Sequence, residues 1–189
     1  MPKRTYQQLG IPEGYGFKKL LYVPSSKLIV VQVKSWPHDW RNPDRLFLRG
    51  IDETAYRPIG TPAEMASQES PTLHPVRPLL AYISDVHSFS RDIHGVEHAG
   101  GDWSFLEVTD LIGSTSTTVT QSTLKIPAPY LDGWITGILS FGDSESLFVI
   151  AAVKVRVSED FNRIDYFIAE LDLKTHALSL VTHLPATFM

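Results

Sequence analysis

One pattern of apolar runs is written three times along this chain, and it narrows the possible folds more than any other feature. Each copy has an apolar run, a polar connection, a second apolar run, and a short turn into a third. The second runs form a ladder: Leu46-Phe47-Leu48-Arg49-Gly50-Ile51-Asp52, Ser104-Phe105-Leu106-Glu107-Val108-Thr109 and Phe167-Ile168-Ala169-Glu170-Leu171-Asp172. With Ile51, Val108 and Leu171 at one place, the steps are 57 and 63 residues. The runs are short, rich in Val, Ile, Leu, Phe and Tyr, and bounded by Pro, Gly, Asp or Ser, which is how strands read. No apolar stripe at helical spacing lasts three turns.

Leu28 to Val33, Leu79 to Ile83 and Leu147 to Val153 are the second strands of the three copies. Their near-continuous apolarity predicts strands buried on both faces, as inside stacked sheets. Ala177 to Val181 reads as a fourth strand after the turn Asp172-Leu173-Lys174-Thr175-His176; Tyr56 to Ile59 and Ser116 to Thr120 take that place earlier. A strand repeat of this length points to propeller blades. The expectation is an all-β, β-propeller-like repeat of about three four-stranded antiparallel sheets, with a β-sandwich or irregular barrel as the alternative. It forms a single domain over 1–189, with blade-like repeats at approximately 14–62, 67–126 and 127–189.

Ser70-Pro71-Thr72-Leu73-His74-Pro75-Val76-Arg77-Pro78-Leu79-Leu80-Ala81-Tyr82 resembles the blade opening of TolB-like and WD40-like β-propellers. In those families a Ser/Ala-Pro, an apolar residue, a second Pro and a basic residue precede the inner apolar strand. Ala128-Pro129-Tyr130-Leu131-Asp132-Gly133 ahead of Leu147-Phe148-Val149 is a looser match, with a strand-like insert at Trp134 to Phe141; Gly16-Phe17-Lys18-Lys19-Leu20 is looser still. The Trp-Asp dipeptide of true WD40 blades is absent. Propellers usually close with 4 to 8 blades, so three copies predict a homodimer that completes a ring, part of a larger propeller, or another β architecture.

Charge and composition exclude several classes. The net charge is -4, and no run of Lys or Arg could track a phosphate backbone, so nucleic acid is not an expected partner. Cysteine is absent, which removes thiolate chemistry and disulfides. The N-terminal Lys3-Arg4 has no apolar region after it, and no apolar run approaches the length needed to span a bilayer. The expectation is a cytoplasmic protein with no membrane partner.

The connections between the second and third strands are the most unusual segments: Lys34 to Asp44, Asp85 to Asp102, and Lys154 to Asp165. Equivalent connections of successive blades emerge on one face, and loops on a rigid scaffold often carry function. The candidate binding residues there are Trp36, His38, Asp39, Trp40, Arg41, Asp85, His87, Arg91, His94, His98 and Arg156. Trp36 and Trp40 with Arg41 could anchor a partner, since aromatics and Arg dominate interfaces. Asp85, His87, His94 and His98 form a weaker candidate for a divalent metal, because imidazole and carboxylate suit zinc or a harder ion. Their spacing matches no zinc signature, and no cofactor is expected.

Gly142-Asp143-Ser144-Glu145 is similar to the Gly-Asp-Ser block of one esterase family. That family needs the block near the N-terminus of an α/β fold, and here it reads as turn chemistry. No nucleophile elbow, phosphate loop or dinucleotide fingerprint is present. The functional expectation is a non-catalytic interaction module that binds a protein or peptide through one loop face. The alternatives are a metal-assisted hydrolase or lyase acting on a carbohydrate or lactone, with Asp39, Asp85 and His87 in play, and an incomplete part of a larger propeller.

Overall fold

Short apolar runs broken by turn residues favour strands, and the described residues form strands and turns with no helix among them. The computed structural model describes residues 10–11, 13–35, 43–60, 66–91, 97–142, 145–159 and 161–185. Three four-stranded antiparallel sheets follow one another along the chain. Sheet 1 holds β1 (Tyr15–Val23), β2 (Leu28–Ser35), β3 (Arg45–Gly50) and β4 (Arg57–Pro58). Sheet 2 holds β5 (Ala66–Leu73), β6 (Leu79–Arg91), β7 (Glu97–Asp110) and β8 (Ser116–Val119). Sheet 3 holds β9 (Asp132–Phe141), β10 (Ser146–Arg156), β11 (Asn162–Asp172) and β12 (Leu178–Leu184). Each sheet is a meander in chain order, so hairpins alone connect its strands.

The sheets stack face to face, and side-chain alternation assigns each face. Val30, Leu46 and Leu48 of sheet 1 share a core with Leu80, Tyr82 and Leu111 of sheet 2. The opposite face of sheet 2, with Ala81, Ile83, Leu106 and Val108, packs on Leu147, Val149, Ala151, Ala169 and Leu171 of sheet 3. The middle sheet is therefore buried on both sides. The outer face of sheet 1 covers Ile29, Val31 and Val33 with its own Tyr15, Phe47, Ile51 and Tyr56.

Four details differ from the sequence expectation. First, the residues from Asp85 onward are not mainly loop: β6 runs to Arg91 and β7 begins at Glu97, because cross-strand pairing carries on through the polar stretch. Second, Trp134 to Phe141 is no insert but β9, the first strand of sheet 3. Third, β10 is not buried on both faces: Phe148 and Ile150 are half-buried while Leu147, Val149 and Ala151 are fully buried. Fourth, the repeat registers differently. The backbone N–H groups of Ile51, Leu111 and Leu173 make the same turn bond, to Lys27, Pro78 and Glu145. The true steps are 60 (51 to 111) and 62 (111 to 173). The apolar ladder tolerates a slip of this kind, whereas the turn does not: the carboxylates of Asp110 and Asp172 each accept from backbone N–H groups two and three residues on.

Candidate functional site

Because the three sheets share one orientation, the connections β2–β3, β6–β7 and β10–β11 leave from the same end. The turns at residues 24–27 and 74–78 and the facing ends of β9 and β10 lie at the opposite end. Trp36, His38, Asp39, Trp40, Arg41 and His94 lie outside the described residues. His87 and Arg91 fall on β6 and His98 on β7, placed by backbone register: His87 pairs with Asp102, Ser90 with His98 and Arg91 with Glu97. Asp85 accepts a hydrogen bond from Ser104 Oγ at 2.7 Å across the same hairpin. Arg156 ends β10, is exposed and pairs with Asn162. Among the described residues no three His, Asp or Glu side chains gather as metal ligands would.

The structure adds a charged clasp at this end that the sequence reading missed. Lys18, at a bulge in β1, bonds Asp44, just before β3, and Glu69 of β5 at 2.9 Å. Ser67 Oγ donates to Glu69 at 2.8 Å and accepts from the Asp44 N–H at 3.1 Å. Burial pushes Asp44 upward, and it outweighs the Lys18 hydrogen bond while the Glu69 charge adds to the rise. For Glu69 the balance is reversed: burial raises it, but bonds from Lys18 and Ser67 together hold it below the usual carboxylate range. Burial also works against the Lys18 ammonium, and its two carboxylate partners outweigh that and raise it. The result is one firmly ionised carboxylate and one that takes a proton more readily, bridged by a half-exposed cation.

Below the clasp lies a buried amide network. Gln68, 1% exposed, accepts from Leu46 N–H at 2.8 Å and donates to the Ile59 carbonyl at 2.9 Å. Gln32 donates to the Gln68 carbonyl at 2.9 Å. The sequence signal was present: Gln32 is the one polar residue between Leu28 and Val33. A buried amide inside an apolar strand must find partners.

At sheet 3 the same end carries aromatic rings. Tyr130 meets Phe167 edge-on at 5.7 Å, and Phe167 meets the exposed His183 at 5.0 Å. Trp134, on β9, is half-buried. Elsewhere, a cleft of about 490 Å³ opens between the outer strands of sheets 1 and 2, lined by Arg57, Glu107, Asp110, Ser116 and Thr118 among others. It exists because β4 spans two residues and leaves β8 uncovered. The fully buried Tyr82 hydroxyl donates to Glu107, one of the lining residues, at 2.5 Å. Burial, then the Glu107 carboxylate, push that phenol above its usual range. Gly60, at φ +68°, passes so close that a Cβ there would sit 2.8 Å from the same hydroxyl.

No protein-family model matches the chain. No curated protein matches it either. Among solved structures it is similar to a candidate dipeptidyl aminopeptidase IV from Bacteroides ovatus, at 13% identity and a TM-score of 0.46. The match covers 88% of this chain and 23% of that one, so the chain spans less than a quarter of that protein's length. The fold description rests on the three sheets themselves. No helix among the described residues is long and apolar enough to cross a membrane.

Proposed function

We propose that this chain is a non-catalytic, propeller-like interaction module that binds a protein or peptide through the end bearing the β2–β3, β6–β7 and β10–β11 connections. The observation that carries this reading is the common orientation of the three sheets, which brings the β2–β3, β6–β7 and β10–β11 connections to one end. That end combines the partner chemistry expected of an interface: a half-exposed Lys18, the exposed Arg156, and the rings of Tyr130, Phe167 and His183. The rigid stack beneath keeps the cost of ordering such a surface low. The sequence between Ser35 and Asn42 supplies Trp36, Trp40 and Arg41 to the same connection.

The test is capture of a native-host partner by purified protein, with Arg156→Glu and Trp36→Ala/Trp40→Ala as variants. Both variants should lose capture while Tm stays within about 2 °C of the parent, as surface substitutions ordinarily do. Full capture by both variants would contradict the proposal. So would a Tm fall of more than about 8 °C in the Trp variant, because a loss that large marks a core position.

A further inference from the structure

We propose that two copies of this chain close into one ring of six sheets, each copy's sheet 3 seating its free face on sheet 1 of the other. This surface is separate from the loop end, and the inference stands apart from the binding role given to it.

The two seams inside the chain join unlike faces in one fixed sense. At each, the trailing face of one sheet meets the leading face of the next. Backbone register makes Leu48, Val108 and Glu170 equivalent on the trailing faces, and Arg49, Thr109 and Leu171 equivalent on the leading faces. Leu48 and Thr109 line one cleft at the first seam. Val108 and Leu171 share one core at the second. Trailing and leading positions therefore lie within the same seam at both internal junctions, and neither position is charged there.

The two faces left over are the trailing face of sheet 3 and the leading face of sheet 1. On them the same two positions hold Glu170 and Arg49, which are of opposite charge. A third seam built like the first two would bring them together. The apolar surroundings match as well. Phe148, Ile150 and Ile168 stand half-buried beside Glu170 on sheet 3. Phe17, Leu20 and Tyr22 are 57%, 37% and 43% exposed on the leading face of sheet 1.

Arg49 itself points to an acceptor supplied from outside the chain. It is 4% exposed, yet its Nε and Nη2 have no hydrogen-bond partner among the described residues. The Tyr56 ring lies over the guanidinium, its centroid 5.0 Å away, and the Tyr56 hydroxyl also has no partner among the described residues. A buried guanidinium without an acceptor is costly, and the Nε–Nη2 edge is the one a carboxylate grips with two hydrogen bonds. Docking would turn Tyr56, which belongs to the β3–β4 connection, and put the partner's sheet in its place. A two-fold axis makes two identical seams, and six sheets fall within the usual 4 to 8 blades of a closed propeller.

Light scattering on the purified 189-residue chain over a wide concentration range tests this. The expected mass is about 42 kDa, twice 21.2 kDa. Glu170→Arg and Arg49→Glu should each raise the dimer dissociation constant about thirtyfold or more, since each leaves a like charge in the seam. The double variant Arg49→Glu/Glu170→Arg should recover the dimer. Glu170 is half-buried, so its variant keeps the fold, with circular dichroism as the check, and it decides the matter even if Arg49→Glu fails to fold. A monomer at every concentration, open-ended growth in mass, or a folded Glu170→Arg chain as dimeric as the parent would overturn the proposal.

Discussion

The seam between sheets 1 and 2 and the seam between sheets 2 and 3 join equivalent faces by different means. At the second, Ala81, Ile83, Leu106 and Val108 meet Leu147, Val149, Ala169 and Leu171 with aliphatic surface. At the first, a smaller apolar core around Leu80 and Tyr82 is joined by Gln68, Gln32 and the Lys18–Asp44–Glu69 clasp. Aliphatic burial is non-directional and supplies most of the stabilisation. Satisfied buried amides add little net free energy but permit few alternative registers, because any slip leaves them unpaired. The contrast teaches that one repeat unit can be stacked either by area or by matched polar partners, with the backbone plan unchanged.

The comparison can be broken at four points, in falling order of effect. Leu147→Ala, at a fully buried position of the aliphatic seam, should cost about 2–5 kcal/mol by urea unfolding. A loss under about 1 kcal/mol there would mean the seam collapses easily around small residues and contributes less than its burial implies. Gln68→Ala should cost about 2–4 kcal/mol, because the Leu46 N–H and Ile59 carbonyl are both left buried without partners. A near-neutral result would show the amide network to be ornamental and the two seams alike. Tyr82→Phe should cost about 1–2 kcal/mol through loss of the Glu107 hydrogen bond, with the ring still packed. Differential scanning calorimetry would read it as a drop in Tm without change in fold.

The smallest effect is a pH dependence. Backbone N–H groups of Gly113 and Ile112 hold Asp110 below the usual carboxylate range, and those of Thr175, with its hydroxyl, do the same for Asp172. A depressed folded value means the stabilisation is present above the unfolded value and is lost as pH falls through the folded one. Tm should therefore decline as pH drops below about 4, the unfolded Asp range. In Asp110→Asn/Asp172→Asn that part of the decline should shrink. An unchanged acid slope in the double variant would assign the loss elsewhere, with Glu69, also held below the usual carboxylate range, as the next group to examine.

Much of this architecture was legible in the sequence because strands announce themselves by composition and turns by Gly, Pro and Asp. The Leu147 to Val153 run was readable as a strand, yet its apolarity overstated the burial of Phe148 and Ile150. The repeat register was misread because apolar residues are interchangeable along a ladder, whereas the Asp110-Leu111 and Asp172-Leu173 turns fix it through specific hydrogen bonds. The Lys18 clasp was not legible: its members are 26 and 51 residues apart in sequence and meet only through sheet stacking. Asp85 was singled out as a possible ligand and is found bonded to Ser104.

The central claim is that one end of the stack is the binding end. Because the chain lacks cysteine, a single photo-crosslinker can be attached at Arg156→Cys, at that end, or at Val76→Cys, 74% exposed in the β5–β6 turn at the other. With each labelled protein exposed to the captured partner, the account predicts a covalent adduct from Arg156→Cys and background from Val76→Cys. An adduct of equal or greater yield from Val76→Cys would contradict it.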